Sequence, residues 1–379
     1  MRNIILLTTG VCFLFTAMAC AAMLEVGDGK AFQQIEQAVQ AANDGDEIIV
    51  YSKPDGAAYR QPVLMIRTPN LTIRAADLKK PVELNGEGFV YSGRGNVPRA
   101  IIQFEPEASG CTLDGFRLIN ARNESYNGAG VRINQANDVT IRNCEIRHND
   151  MGIMSNGEVS KQTAARQLIE KCEITDNGTH KSPGQNHNLY LGGTSVTVRE
   201  CEIARAVVGH NFKSRVHLNI VIRNHIHDSS NREFDLVDAL GTTDVPGSNS
   251  YLIENTIVKD PQCSGNKGVI HFGRDGSATH DGTLWLIGNT IRTPFISPVA
   301  DLSSGNGVVF IDNVVDDGEA KQVGTLANLQ QPSMKVMGRG NTIPERFIVQ
   351  KMHQNENVPV LLEVPPDFPK ELRSLLNKL

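Results

Sequence analysis

Val139-Thr140-Ile141-Arg142-Asn143-Cys144-Glu145-Ile146 is the stretch whose reading decides the fold. Its core is an apolar residue, two variable residues, a Cys or Asn, one more variable residue and a second apolar residue. The pattern returns as Ile169-Cys172-Ile174, Val198-Cys201-Ile203, Val221-Asn224-Ile226, Leu252-Asn255-Ile257, Leu286-Asn289-Ile291 and Phe310-Asn313-Val315. Weaker copies stand at Ile73-Ala76-Leu78 and Leu113-Phe116-Leu118. From Leu113 onward the first apolar residues lie 28, 28, 29, 23, 31, 34 and 24 positions apart, which is the period of a solenoid. Inside each unit apolar and polar residues alternate, β-branched residues fill the runs, and Asn, Gly and Asp fill the gaps; the units are strands and turns. One coil per repeat lays each strand parallel to its predecessor and roughly 4.8 Å above it. The expected fold is all-β, a single-stranded parallel β-helix.

The Cys/Asn column belongs to the same expectation. An Asn at an inward bend bonds to the Asn above and below it and to the backbone, so burial leaves none of these groups unpaired. Cys144, Cys172 and Cys201 replace Asn in three units. Without a CxxC pair or a His ligand beside them, they read as small buried thiols rather than a metal site or disulfide.

Residues 1–22 carry Arg2, an apolar run from Ile4 to Phe15 and small residues at Ala17, Ala19, Ala21 and Ala22, the layout of a secretory signal. The expected product is secreted, periplasmic or at the cell surface. A lipid anchor on Cys20 is an alternative suggested by Ala17-Met18-Ala19-Cys20. No other stretch is apolar enough to span a bilayer, and a net charge of -5 argues against nucleic acid as partner. A monomer is expected. The β-helix is placed at 23–340, with residues 28–43 as a capping helix whose Phe32, Ile35, Ala38, Val39 and Ala42 share a face. Residues 341–379 are a C-terminal cap or tail with a short amphipathic helix.

Chemistry is expected on a second strand that follows the Cys/Asn strand. Four copies stack: His187-Asn188-Leu189-Tyr190-Leu191, His210-Asn211-Phe212-Lys213-Ser214, Arg232-Glu233-Phe234-Asp235-Leu236 and Gly268-Val269-Ile270-His271-Phe272. With Leu189, Phe212, Phe234 and Ile270 inward, alternation sends Tyr190, Lys213, Asp235 and His271 outward. A neighbouring outward column is read as Asn188, Asn211, Glu233 and Val269, with Arg215 and Asp238 just beyond. Long insertions at 177–186, 241–249, 260–267 and 273–282 would wall a groove along this face. His225 and His227 near Asp228 are metal-ligand types, but His225 is read as pointing out alone; Trp285 is either a sugar platform or a packed aromatic.

The coil pattern over about residues 45–330 resembles the right-handed parallel β-helix proteins of the pectate-lyase-like class, and right-handed crossovers are the general preference. More narrowly, Gly209-His210-Asn211-Phe212-Lys213-Ser214-Arg215 with Asn219 and Arg223-Asn224 resembles the Asn-x-Lys-Ser stretch of the alginate lyase and chondroitinase B family. That resemblance implies an acidic, uronic-acid polysaccharide as substrate and Lys213 as base of a β-elimination. It also implies an Arg in the next coil, where this chain has Glu233-Phe234-Asp235-Leu236. The acid would then be Tyr190, His210 or Arg215. Neutralisation of the substrate carboxylate would fall to Arg215, or to a Ca²⁺ held by Glu233, Asp235 and Asp238 with Asn188 or Asn211. Asn188, Asn211 and His271 are the expected sugar contacts. Rival readings are a hydrolase pairing Asp235 with Glu233 or Asp238, and a non-catalytic glycan-binding solenoid.

Overall fold

The computed structural model describes residues 21–182, 186–276, 278–318, 324–351 and 370–377. The signal segment read at the N-terminus, with Cys20, lies outside the described residues. The strands pair in parallel register from coil to coil and form three faces of a parallel β-helix. The first face carries Ala100–Phe104, Ala129–Asn134, Met151–Asn156, Phe234–Val237, Ile270–Gly273, Ala300–Leu302 and Gly324–Leu329. The second carries Thr112–Asp114, Thr140–Arg142, Gln167–Glu170, Ser250–Ile253, Thr283–Ile287 and Gly307–Ile311. The third carries Glu145–Arg147, Glu173–Thr175, Glu202–Ala204, His225–His227 and Thr256–Val258. Two long strands, Leu189–Arg199 and Phe212–Ile222, run without interruption from the first face into the second.

The bend from the second face to the third is one motif repeated. Asn143, Lys171, Glu200, Arg223, Glu254 and Asp312 all take φ between 51° and 54°, a left-handed conformation that L residues adopt only when the surroundings hold it. The following residue provides that hold. Asn255 Oδ1 accepts the Asn224 backbone N–H at 2.9 Å and the Asn224 amide at 3.0 Å, and the same contacts join Asn255 to Asn289, Asn289 to Asn313 and Asn313 to Asn341. The ladder therefore extends one rung past the last repeat legible in the sequence. Cys201 continues it downward, its N–H bonded to Asn224 Oδ1 at 2.9 Å. Cys111, Cys144, Cys172, Cys201 and Cys263 are all free and buried.

At the N-terminus the helix α1 (Ile35–Ala41) is shorter than the expected 28–43. Phe32 N–H is taken by Glu25 O and Phe32 O by the Gly27 N–H, so that segment folds back on the strand Met23–Val26 instead of joining the helix. Ile35 and Ala38 are buried against the core. At the other end Phe347–Lys351 still pairs with Gly324–Leu329, so the stack continues beyond residue 340. A second helix, α2 (Lys370–Leu376), follows. Its Leu372 and Leu376 pack with Ile222, Tyr251, Ile253, Trp285, Ile287, Val309 and Ile311, an apolar patch on the outer side of the second face. Trp285 is thus a packed aromatic, 4% exposed and 6.2 Å from Tyr251. No helix among the described residues is long and apolar enough to cross a membrane.

Candidate functional site

Register on the first face builds one continuous outward column: Gln103, Arg132, Met154, Tyr190, Lys213, Asp235, His271, Asp301 and Asn328 are successive partners. Pleating puts their side chains on the same side of the sheet, one strand spacing apart. The middle of this column is a single polar network centred on Asp235. Lys213 Nζ lies 2.7 Å from Asp235 Oδ2, His210 Nε2 3.2 Å from the same oxygen, and His271 Nδ1 2.9 Å and Arg232 Nη1 3.2 Å from Oδ1. Burial by itself would raise the Asp235 pKa, but the His271 hydrogen bond and the His210 and Lys213 charges outweigh it and hold the carboxyl well below the usual range. Asp235 is 2% exposed, so it organises the site from beneath.

Asp275, from the insertion at 273–282, supplies the outer half. Its Oδ2 accepts from Lys213 Nζ at 2.9 Å and from Arg215 Nη2 at 2.7 Å. Arg215 Nε donates to the Tyr190 hydroxyl at 3.1 Å, and its Nη1 donates to the Asp238 carbonyl. The Asp238 Oδ1 accepts the Asp275 N–H at 2.7 Å, which pins the insertion to the coil. A carboxylate thus stands between the Lys213 and Arg215 cations, because Asp275 comes in from a loop whose path strand periodicity does not encode.

Beyond Tyr190 and Arg215 the face opens into a groove of about 260 Å³ lined by Arg99, Arg132, Met154, Asn156 and Gly192. This is near the lower bound of about 300 Å³ usual for ligand pockets. Arg132 Nη2 is held by Asn156 at 3.0 Å, while the Nε atoms of Arg99 and Arg132 are buried without a hydrogen-bond partner among the described residues. Burial lowers the Arg132 pKa and the like charge of Arg99 lowers it further. Crowded, under-bonded guanidiniums attract a carboxylate able to accept two hydrogen bonds at once.

Three of the expected site residues are elsewhere. Asn188, Asn211 and Glu233 point inward and form a second ladder at the corner between the third and first faces. Asn188 Nδ2 reaches Asn211 Oδ1 at 2.8 Å, and Asn211 Nδ2 reaches Glu233 Oε2 at 2.6 Å. The described first-face strands begin at Leu189, Phe212 and Phe234, so these residues precede the pleat and alternation does not govern them. Glu233 is fully buried against the fully buried Lys259, 3.4 Å away. Burial raises its pKa to about 7, against the pull of Lys259 and Asn211.

His210 and His271 lie under the face rather than on it. His210 stacks on His187 at 5.1 Å, and burial lowers its pKa to about 4. His271 is tied at both ring nitrogens, to Asp235 and to Ser303 Oγ at 3.0 Å. The set expected to hold Ca²⁺ does not fit the ion: Glu233 is interior, Asp235 is enclosed by cationic donors, and one Asp238 oxygen is taken by a backbone N–H. For the same reason Asp235 and Glu233 are not a carboxyl pair facing one groove.

The residues that sequence reasoning missed are Asp275, Arg232, Arg99 and Arg132. Arg132 was within reach, since Val131-Arg132-Ile133 alternates like the strands that were stacked. Asp275 and Arg99 precede or follow strands in loops and carried no such signal.

No family model matches the chain, and no curated protein matches it. Among solved structures, pectate lyase Pel9A is similar over 86% of this chain and 78% of its own length, with a TM-score of 0.51 and 12% identity. DFA-IIIase from Arthrobacter chlorophenolicus A6 matches over 92% of this chain and 99% of its own at a TM-score of 0.47 and 13% identity. An alginate lyase from Paenibacillus sp. str. FPU-7 matches over 85% and 95%, at 0.35 and 12%. At 12% identity the likeness to Pel9A is one of fold alone, a parallel β-helix.

Proposed function

We propose that this protein is exported and cleaves an acidic, uronic-acid-containing polysaccharide by β-elimination on its first face. The observation that carries the reading is that a phenol, an ammonium and a guanidinium, Tyr190, Lys213 and Arg215, are joined in one network at the end of a groove that also presents Arg99 and Arg132. On a chain of net charge -5, that local gathering of cations complements a polyanion.

In the elimination a base removes the C5 proton, the electron pair forms the C4–C5 double bond, the C4–O bond breaks, and the departing oxygen takes a proton. Arg215 faces the uronate carboxylate and stabilises the negative charge that builds on it, with Arg132 and Arg99 binding carboxylates of adjoining sugars. Tyr190, hydrogen-bonded to Arg215, protonates the leaving oxygen. Lys213 is the base. Its ammonium donates to Asp235 and Asp275, so the proton it holds first passes to the exposed Asp275 carboxylate, 2.9 Å away, and the free amine then takes the C5 proton.

The test is near-ultraviolet absorbance of the unsaturated uronide during incubation of the mature protein with pectate, alginate and glycosaminoglycans. Wild type is expected to produce it, Tyr190→Phe to slow it and Lys213→Ala to abolish it. New reducing ends without absorbance would instead make the protein a hydrolase, and saturable sugar binding without turnover a non-catalytic binder.

A further inference from the structure

We infer that Glu202, His225 and His227 form a binding site for a divalent transition-metal ion of the Zn²⁺ class on the third face, separate from the first-face groove. In His225-Ile226-His227 the buried Ile226 points into the core, so alternation sends both imidazoles outward together. His225 does not stand alone there, because register places Glu202 opposite it on the preceding coil and Ala204 opposite His227. A small residue beneath His227 leaves its ring room to turn toward the carboxylate. The result is bidentate: Glu202 Oε2 is 2.9 Å from His225 Nδ1, and Oε1 is 2.5 Å from His227 Nε2. The rings stack at 4.1 Å. One ligand atom from each residue lies within 4.8 Å of the others.

Bonds of about 2.0–2.2 Å in a tetrahedral Zn²⁺ site hold ligand atoms roughly 3.3 Å apart. Admitting the ion therefore requires the Glu–His contacts to open by under about 1 Å. Side-chain exposures of 37% for Glu202 and 47% for His225 leave the rotamer freedom for that. A second observation points the same way. Asp228 Oδ2 lies 2.7 Å from His227 Nδ1, an outer carboxylate that orients the ring through Nδ1 and leaves Nε2, which now faces Glu202, as the atom that ligates once the ion displaces its proton. Two imidazoles and one carboxylate suit Zn²⁺, Cu²⁺ or Ni²⁺, whereas Ca²⁺ and Mg²⁺ require oxygen. Three protein ligands leave a fourth position open to water or an incoming group. Since the ligands come from two successive coils, the bound ion also cross-links one rung of the solenoid to the next.

The experiment is calorimetric titration of ZnCl₂ into the full mature chain without a histidine tag, beside thermal unfolding with and without the ion. One Zn²⁺ per chain and a raised Tm are expected, both lost in His225→Ala, His227→Ala and Glu202→Gln, and both kept in the surface control His180→Ala. Asp228→Asn should bind about tenfold more weakly or worse. These side chains lie on the outer side of the third face, and circular dichroism verifies the fold of each variant. Absence of saturable Zn²⁺ binding, or binding that survives His225→Ala and His227→Ala, overturns the inference.

Discussion

His210 shows how a single residue ties the site to the solution. Its pKa is about 4 in the folded protein against an ordinary 6.5, so between these values the unfolded chain binds a proton that the native chain refuses. Its contribution to stability is present above pH 6.5 and is lost as pH falls toward 4, about 3 kcal/mol over the full shift. Burial also lowers His187 and His280, which act in the same direction. Glu233 acts in the opposite direction: raised to about 7, it favours the fold at low pH and loses that contribution as pH rises through 7. Chemical denaturation across this range should show stability falling below pH 6.5, and His210→Gln should flatten part of the slope; an unchanged slope would remove His210 from the account. In the proposed reaction Arg132 has a different task, contacting substrate without touching the reacting atoms. Arg132→Gln should raise KM about tenfold with kcat nearly constant on the polymer that wild type cleaves.

At the scale of the element, the bend between the second and third faces concentrates the fold's cost and its remedy in two adjacent residues. Glu254 is held at φ 53° while Asn255 bonds to the Asn224 N–H, the Asn224 amide, Val221 O and Asn289 Oδ1. Asn255→Ala removes all four bonds and leaves buried donors and acceptors unpaired, at roughly 1–3 kcal/mol each before relaxation. Equilibrium denaturation should report a loss of roughly 3–5 kcal/mol. Asn255→Cys should cost less, because Cys201 already accommodates the same bend two rungs earlier. The element is also where the sequence was most legible. Period-2 alternation and the Cys/Asn column specified which residues face inward on Phe212–Ile222 and Phe234–Val237, and the observed register matches residue for residue. Alternation failed at Asn188, Asn211, Glu233 and Val269, which sit before the pleat begins.

The whole molecule decides how its surfaces are used. The outer side of the second face is apolar through Ile222, Tyr251, Ile253, Trp285, Ile287, Val309 and Ile311, and α2 covers it with Leu372 and Leu376. Deleting residues 352–379 should uncover the only Trp, seen as a red shift of its emission and as binding of a hydrophobic dye. Unchanged emission would mean that α2 does not shield it. The sequence by itself determined the parallel coil, its inward columns and the outward alignment of Tyr190, Lys213, Asp235 and His271, because those follow from short-range periodicity repeated at a fixed interval. Only the tertiary structure decided that Asp275 stands between Lys213 and Arg215, that Arg99 and Arg132 share the groove, that Glu233 turns inward to Lys259, and that Glu202 meets His225 and His227. These pairings join residues brought together by loop paths, coil corners and the stacking of one coil on another, and no local pattern in the chain specifies such distances.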